Sequence, residues 1–153
     1  MDRREALKLL FCIYCAVLLA LLFWRTPERG SGTYWDRVLG LLNPRPFETV
    51  CHFARLLGHR SPALVRLAAV NLFGNVLMFV PLGLLLPALW PRLARWWRTL
   101  SVCAGAIVAV ELIQMLTLLG YCDIDDLTLN LLGAAMGYGL YLIFIKTKGS
   151  AAE

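Results

Sequence analysis

The stretch Glu111–Gly137, ELIQMLTLLGYCDIDDLTLNLLGAAMG, joins two apolar runs through a short acidic turn. Glu111 and Gln114 interrupt the first run, and Asn130 lies early in the second. On insertion scales a charged side chain costs about 2.5–3.5 kcal/mol at the centre of a membrane helix, so a carboxylate persists there where it is paired or used. The stretch therefore predicts two membrane-spanning helices that carry a polar site.

The composition of the whole chain supports a membrane protein. Of its 153 residues, 59% are hydrophobic and 16% are charged, whereas about 25% of residues are charged in soluble domains. The apolar residues are concentrated in runs long enough to span a bilayer, which takes about 20 residues. We predict one all-α, polytopic membrane domain over residues 1–153, a bundle of four transmembrane helices with spans at about 7–24, 66–90, 99–119 and 126–145.

The connection 25–61 is polar and carries two short amphipathic patterns. Apolar and aromatic residues recur at helical spacing over 34–42 and again over 47–57, where Gly58 is a plausible stop. Such segments, with aromatic and arginine side chains, suit the membrane interface. Cys51 in this connection and Cys122 in the acidic turn would pair only if both face an oxidising compartment.

The distribution of basic residues predicts the orientation and excludes one class of partner. The N-terminus, the connector 91–98 and the C-terminal tail are basic, whereas the turn 120–126 is acidic. The positive-inside rule then places both termini in the cytoplasm, although the arginines of the connection 25–61 argue the other way. The net charge of +5 is spread between apolar runs rather than clustered on one face, so we expect no nucleic-acid binding.

Polar residues from three successive spans are expected to meet at one end of the bundle. Because these spans are antiparallel and each residue rises about 1.5 Å, the polar residues fall in the same leaflet, which is the outer one in this orientation. We predict a ligand-binding site formed by Asn71, Asn75, Glu111, Gln114, Asp123, Asp126 and Asn130.

Simpler explanations exist for parts of this set. Asparagine and glutamine in membrane helices often serve only as hydrogen-bond partners between helices, at about 1 kcal/mol each. Asp123 and Asp125 would serve equally as a solvated turn and helix N-cap. Gly133 and Gly137 allow close helix packing, and we expect this glycine stripe to face the helix that bears Glu111.

The order and spacing of several short motifs over about residues 34–145 resemble the VanZ-like family. The motifs are Pro44-x-Pro46-Phe47, Asn71-Leu72-Phe73-Gly74-Asn75, Phe79-Val80-Pro81-Leu82-Gly83, Glu111-x-x-Gln114, Asp123-x-Asp125-Asp126 and Asn130-x-x-Gly133. One departure is Tyr121, which lies near the place where an arginine is common in that family. The resemblance implies a multi-pass protein of the bacterial plasma membrane, and the founding member is associated with low-level resistance to the glycopeptide teicoplanin.

Two functions of different class follow from these observations. The first is a non-enzymatic envelope protein that contacts the lipid bilayer, binds a lipid, a lipid-linked cell-wall precursor or a glycopeptide, and needs no cofactor or metal. The second is an intramembrane enzyme acting on a lipid headgroup, with Glu111 as general base and Asp126 as its partner or as a ligand for Mg²⁺ or Ca²⁺. The set contains no serine, cysteine or histidine placed as a nucleophile, which favours the first function, and no catalytic residue is assigned.

Overall fold

The computed structural model describes residues 2–24 and 31–146. In chain order its long helices are α1 (Arg3–Phe23), α4 (Pro62–Leu89), α5 (Trp96–Leu116) and α6 (Ile124–Tyr141), and α6 continues as a π-helix over Leu142–Lys146. Two short helices, α2 (Tyr34–Gly40) and α3 (Glu48–Leu57), lie between α1 and α4. A 3-10 turn, Pro91–Leu93, joins α4 to α5, and the two-residue strands β1 (Leu42–Asn43) and β2 (Cys122–Asp123) pair in parallel.

Four helices are long and apolar enough to cross a membrane, as predicted: Arg4–Phe23, Pro62–Leu89, Trp96–Leu116 and Ile124–Phe144. Two of their boundaries differ from the predicted ones for local reasons. The helix that carries the second span begins at Pro62, as the proline in its first turn predicts, and so extends four residues before the predicted span of 66–90. The third ends at Leu116 rather than near 119, because the backbone turns left-handed at Leu118, with φ 58°.

The closest helix pair in the bundle is α4 with α6. A Cβ atom at Gly133 or Gly137 would overlap the backbone carbonyl of Val76 or Val80 in α4, and one at Gly83 of α4 would overlap the carbonyl of Ala134 in α6. The two backbones are therefore in direct contact over about two turns of α4. The prediction that the glycine stripe faces the helix with Glu111 was wrong. The stripe faces α4 instead, where Gly83 has no side chain and lets the backbone of α6 come close.

Helices α1 and α5 pack against this pair. Their shared core includes the buried side chains of Phe79, Cys103 and Ile107. The Tyr14 hydroxyl of α1 donates a hydrogen bond to the carbonyl of Met78 in α4 over 2.8 Å. Hydrogen bonds from Gln114 to Leu22 and from the Asp123 N–H to Glu111 place the C-terminal ends of α1 and α5 beside the start of α6. The start of α4 lies at the same end, since Asn75 bonds to Asp126, and this end carries the polar residues.

A candidate binding pocket at one end of the bundle

The connection between α1 and α4 is anchored on the turn between α5 and α6. Val38 and Leu41 of the α2 segment pack on Leu118 of that turn, and all three side chains are buried. The Tyr34 hydroxyl donates to the carbonyl of Leu116, over 2.7 Å, at the C-terminal end of α5. This bond satisfies one of the carbonyls that the end of a helix leaves without an intrahelical partner.

Asp123 joins the connection to the start of α6. The parallel pairing of β1 with β2 sets Asn43 directly opposite Asp123. One carboxylate oxygen of Asp123 accepts hydrogen bonds from the Thr49 hydroxyl at 2.5 Å and from the Asn43 amide at 3.1 Å. The other accepts from the backbone N–H of Asp125 at 2.8 Å, which makes Asp123 the N-cap of α6.

Asp125 caps the N-terminal end of α3. Its two carboxylate oxygens accept the backbone N–H groups of Phe47, at 2.6 Å, and of Val50, at 3.0 Å. Phe47 is the N-cap residue of α3 and has left-handed backbone with φ 65°. Its phenyl ring has no oxygen atom to accept a backbone N–H, so its side chain provides no cap. The carboxylate of Asp125, only 2% exposed, supplies the cap from another part of the chain. Asp123 and Asp125 thus act as helix caps, but they are buried rather than solvated.

A pocket of about 860 Å³ lies between this anchored connection, the α5–α6 turn and the first half of α4. Its walls combine carboxylate, amide, hydroxyl and aromatic side chains with one arginine and one histidine. We call it the polar pocket, and its lining residues are Gly40, Leu42, Asn43, Pro44, Arg45, Glu48, Thr49, His52, Phe53, Asn71, Tyr121, Asp123 and Asp126.

The predicted site residues divide between the walls of this pocket and the region behind them. Asn71, Asp123 and Asp126 line the pocket. Asn75 lies next to it, where its amide donates to the carboxylate of Asp126 over 2.5 Å. The Asn71 amide donates to the carbonyl of Leu67 in its own helix at 2.8 Å, which fixes the direction of that side chain at the pocket wall.

The other three predicted residues are buried and are not among the described residues that line the pocket. Glu111 accepts the backbone N–H of Asp123 over 3.3 Å. Gln114 donates to the carbonyl of Leu22 at 2.8 Å and so ties α5 to α1. The side-chain oxygen of Asn130 has no hydrogen-bond partner among the residues that the structure describes. Glu111 therefore stabilises the acidic turn, and Gln114 stabilises the packing of α1 on α5. Neither forms part of the described pocket surface.

The cysteines next to this region are free thiols. Cys51 is exposed on α3, and Cys122 is half-buried in the turn. Burial raises the pKa of the Cys122 thiol, and the nearby carboxylates of Glu111 and Asp123 raise it further. Within residues 2–24 and 31–146, no group of three or more histidine, cysteine or acidic side chains is arranged to hold a metal ion.

Sequence reasoning missed the part of the site that the connection contributes. Asn43, Arg45, Thr49 and His52 line the pocket from a segment about 75 residues away from Asp123 and Asp126 in the chain. One signal was available in the sequence. The second amphipathic segment begins after Pro46-Phe47 without a capping serine, threonine, aspartate or asparagine of its own, which indicates a cap from elsewhere.

Comparison with known proteins identifies a family for the chain. Neither the curated proteins nor the solved structures contain a match to the chain. The model of the VanZ/LLP1 family matches residues 11–145, a range that includes the second half of α1, the connection, the acidic turn and the other three apolar helices. The chain belongs to the VanZ/LLP1 family of membrane proteins.

Proposed function

We propose that this protein binds an amphiphilic molecule in the polar pocket and thereby lowers the susceptibility of a bacterial cell to glycopeptide antibiotics such as teicoplanin. The bound molecule is a lipid, a lipid-linked cell-wall precursor or the lipophilic drug itself. With both termini in the cytoplasm, the pocket opens at the outer leaflet, where glycopeptides and lipid-linked precursors are found.

The observation that carries this proposal is the position and composition of the pocket. It lies at the end of the apolar helices, so a molecule with its chains in the bilayer would reach it with its headgroup. Polar groups that are fixed in advance favour such binding, because they are not reordered when the ligand arrives. Asp123 and Asn71 are fixed in this way by hydrogen bonds to Thr49, Asn43 and Leu67.

The test is a pair of tryptophan substitutions on adjacent residues of α4. Asn71 lines the pocket, whereas its neighbour Val70 is 64% exposed on the outer face of the helix. Asn71→Trp fills the pocket and should abolish the increase in teicoplanin minimum inhibitory concentration that the wild-type protein confers. Val70→Trp should retain it, because a large apolar side chain there faces lipid.

Membrane levels of both variants are measured by immunoblot in the same cells. If Asn71→Trp accumulates normally and protects as well as the wild type, the pocket is not the functional site. The same assay addresses the enzymatic alternative through Glu111. An amide oxygen at this position still accepts the Asp123 N–H, so Glu111→Gln should protect and Glu111→Ala should not, whereas a general base would be lost in both.

A further inference from the structure

The connector between α4 and α5 forms a fixed turn at the end of the bundle opposite the polar pocket. Three consecutive carbonyls of this turn each accept a hydrogen bond from a side chain: Arg92 from Arg98 at 3.0 Å, Leu93 from Thr99 at 2.5 Å, and Ala94 from Tyr138 of α6 at 2.8 Å. The backbone of the connector is therefore held against both α5 and α6.

Three arginines surround this turn. The side chains of Arg92 and Arg95 are exposed. Arg98 is half-buried, and its guanidinium lies 5.0 Å from the ring centroid of Trp97, so both the ring and the carbonyl of Arg92 fix its position. We call Arg92, Arg95 and Arg98 the arginine surface.

No acidic side chain balances the charge of the arginine surface within the part of the chain that the structure describes. No ion pair joins its members to a carboxylate in residues 2–24 and 31–146. The described carboxylates at this end of the bundle are those of Asp2 and Glu5 at the start of α1, and Glu5 accepts the N–H of Asp2. The first turn of α5 contains no acidic residue, so the positive end of the helix dipole adds to the charge of the arginines. An anion at this surface would offset the repulsion between them.

Tryptophan side chains place the arginine surface at the depth of the lipid headgroups. Trp90, Trp96 and Trp97 are 44%, 63% and 47% exposed, and tryptophan is enriched where a membrane meets water. Phe11 of α1 packs edge-on against Trp90, with the ring centroids 5.2 Å apart. The exposed side chain of Lys8, three residues before Phe11, adds a fourth positive charge at this end. This position favours a lipid over a soluble anion, because a lipid holds its phosphate at the level of the indole rings.

We propose that the arginine surface binds the headgroup of an anionic phospholipid, with the phosphate directed to its guanidinium groups. Guanidinium groups match phosphate oxygens through paired hydrogen bonds. A zwitterionic headgroup gains less, because it carries a cation of its own. In the orientation predicted above, the connector faces the cytoplasmic leaflet, whose anionic lipids attract basic segments next to membrane helices. The inference concerns the end of the bundle opposite the polar pocket and does not depend on the proposed function.

The test measures lipid binding to the full-length protein in detergent by native mass spectrometry. The probes are phosphatidylglycerol, which is anionic, and phosphatidylcholine, which is zwitterionic. We expect phosphatidylglycerol to bind about tenfold more tightly, and this preference should fall as the ammonium acetate concentration rises, because salt screens exposed charges. Soluble glycerophosphoglycerol carries the same headgroup without acyl chains and should not compete. Competition by it at equal concentration would show a site for soluble anions and would contradict the assignment to a lipid.

Two arginine pairs at opposite ends of the bundle make a charge-matched comparison. Arg92→Gln and Arg95→Gln should each lower the preference for phosphatidylglycerol by about threefold, and together they should remove nearly all of it. Both side chains are exposed, so the binding of phosphatidylcholine should not change. The control combines Arg55→Gln with Arg60→Gln, which removes the same charge from exposed positions beside the polar pocket that do not line it. This pair should leave the preference unchanged.

Two results would overturn the inference. One is equal binding of the two phospholipids by the wild-type protein. The other is a control pair that lowers the preference as much as the connector pair does, because the lipid would then respond to the net charge of the protein rather than to the arginine surface.

Discussion

At the scale of single residues, Asp125 joins two segments that are distant in the chain. It accepts two backbone N–H groups from positions 78 and 75 residues earlier in the chain, and these are the groups that the first turn of α3 leaves unpaired. Asp123 makes comparable bonds to the side chains of Thr49 and Asn43. Two acidic residues on either side of Ile124 therefore hold one wall of the polar pocket in place.

Replacing Asp125 should release this wall. Asp125→Ala leaves buried donors without an acceptor, at about 1–3 kcal/mol each, and we expect a lower unfolding temperature in detergent together with faster protease cleavage within residues 44–61. Asp125→Asn keeps one oxygen as an acceptor, so its unfolding temperature should lie between those of the wild type and of Asp125→Ala. Glu48→Ala removes only an exposed ion pair, worth about 0–1 kcal/mol, and serves as the control. Unfolding of Asp125→Ala at the wild-type temperature would show that the cap is dispensable.

At the scale of elements, the contact between α4 and α6 determines the geometry of the pocket. Asp126 projects from the first turn of α6, and its bond to Asn75 of α4 depends on how closely the two helices approach. Further along the two helices, Gly83, Gly133 and Gly137 determine this distance, because the facing backbone leaves no space for a Cβ atom at these positions. The residues that pack the helices and those that line the pocket are thus coupled through the same pair of helices.

Two glycines of α6 provide a matched comparison of this packing. Gly137 touches the backbone of α4, whereas a Cβ atom at Gly139 would meet nothing within 4 Å. Gly137→Ala should cost about 1–3 kcal/mol through overpacking, and Gly139→Ala should be neutral or stabilise the helix by about 0.5–1 kcal/mol. Reversible unfolding in mixed micelles measures both. Equal unfolding free energies for the two variants would contradict the close contact of α4 with α6.

At the scale of the whole molecule, the pocket belongs to one face of the membrane, and the orientation decides which. The structure places the connection 31–61 and the acidic turn at the same end of the bundle, and the basic connector between α4 and α5 at the other. The positive-inside rule then predicts that the connector is cytoplasmic and the pocket external. Residues 25–30 and 147–153, which also enter that rule, lie outside the described residues.

Cysteine labelling in intact cells tests this orientation. A variant that retains only Cys51, which is exposed on α3, should react with a membrane-impermeant maleimide without lysis. A cysteine-free variant carrying Arg95→Cys, at an exposed position of the connector, should react only after the membrane is permeabilised. The opposite pattern would place the pocket at the cytoplasmic leaflet and remove the basis for its direct contact with glycopeptides outside the cell.

The sequence by itself determined the four spans, the two short helices of the connection and the location of Asn75 and Asp126 at the same end of the bundle. These follow from local hydropathy, helical periodicity and the rise of an antiparallel helix, all of which are properties of neighbouring residues. The family also followed from motif order and spacing, as the match over residues 11–145 confirms.

Only the tertiary structure decided which surfaces meet. The glycine stripe of α6 could face either neighbouring helix, and the choice depended on Gly83 in α4. Likewise, the aspartates of the turn offered hydrogen-bond acceptors, and α3 lacked a cap of its own. Nothing local indicated that Asp125 would supply that cap, or that Thr49 and Asn43 would donate to Asp123. A hydrogen bond between distant segments depends on the path of the whole chain. Only the tertiary structure therefore shows that the connection folds onto the bundle and forms the polar pocket.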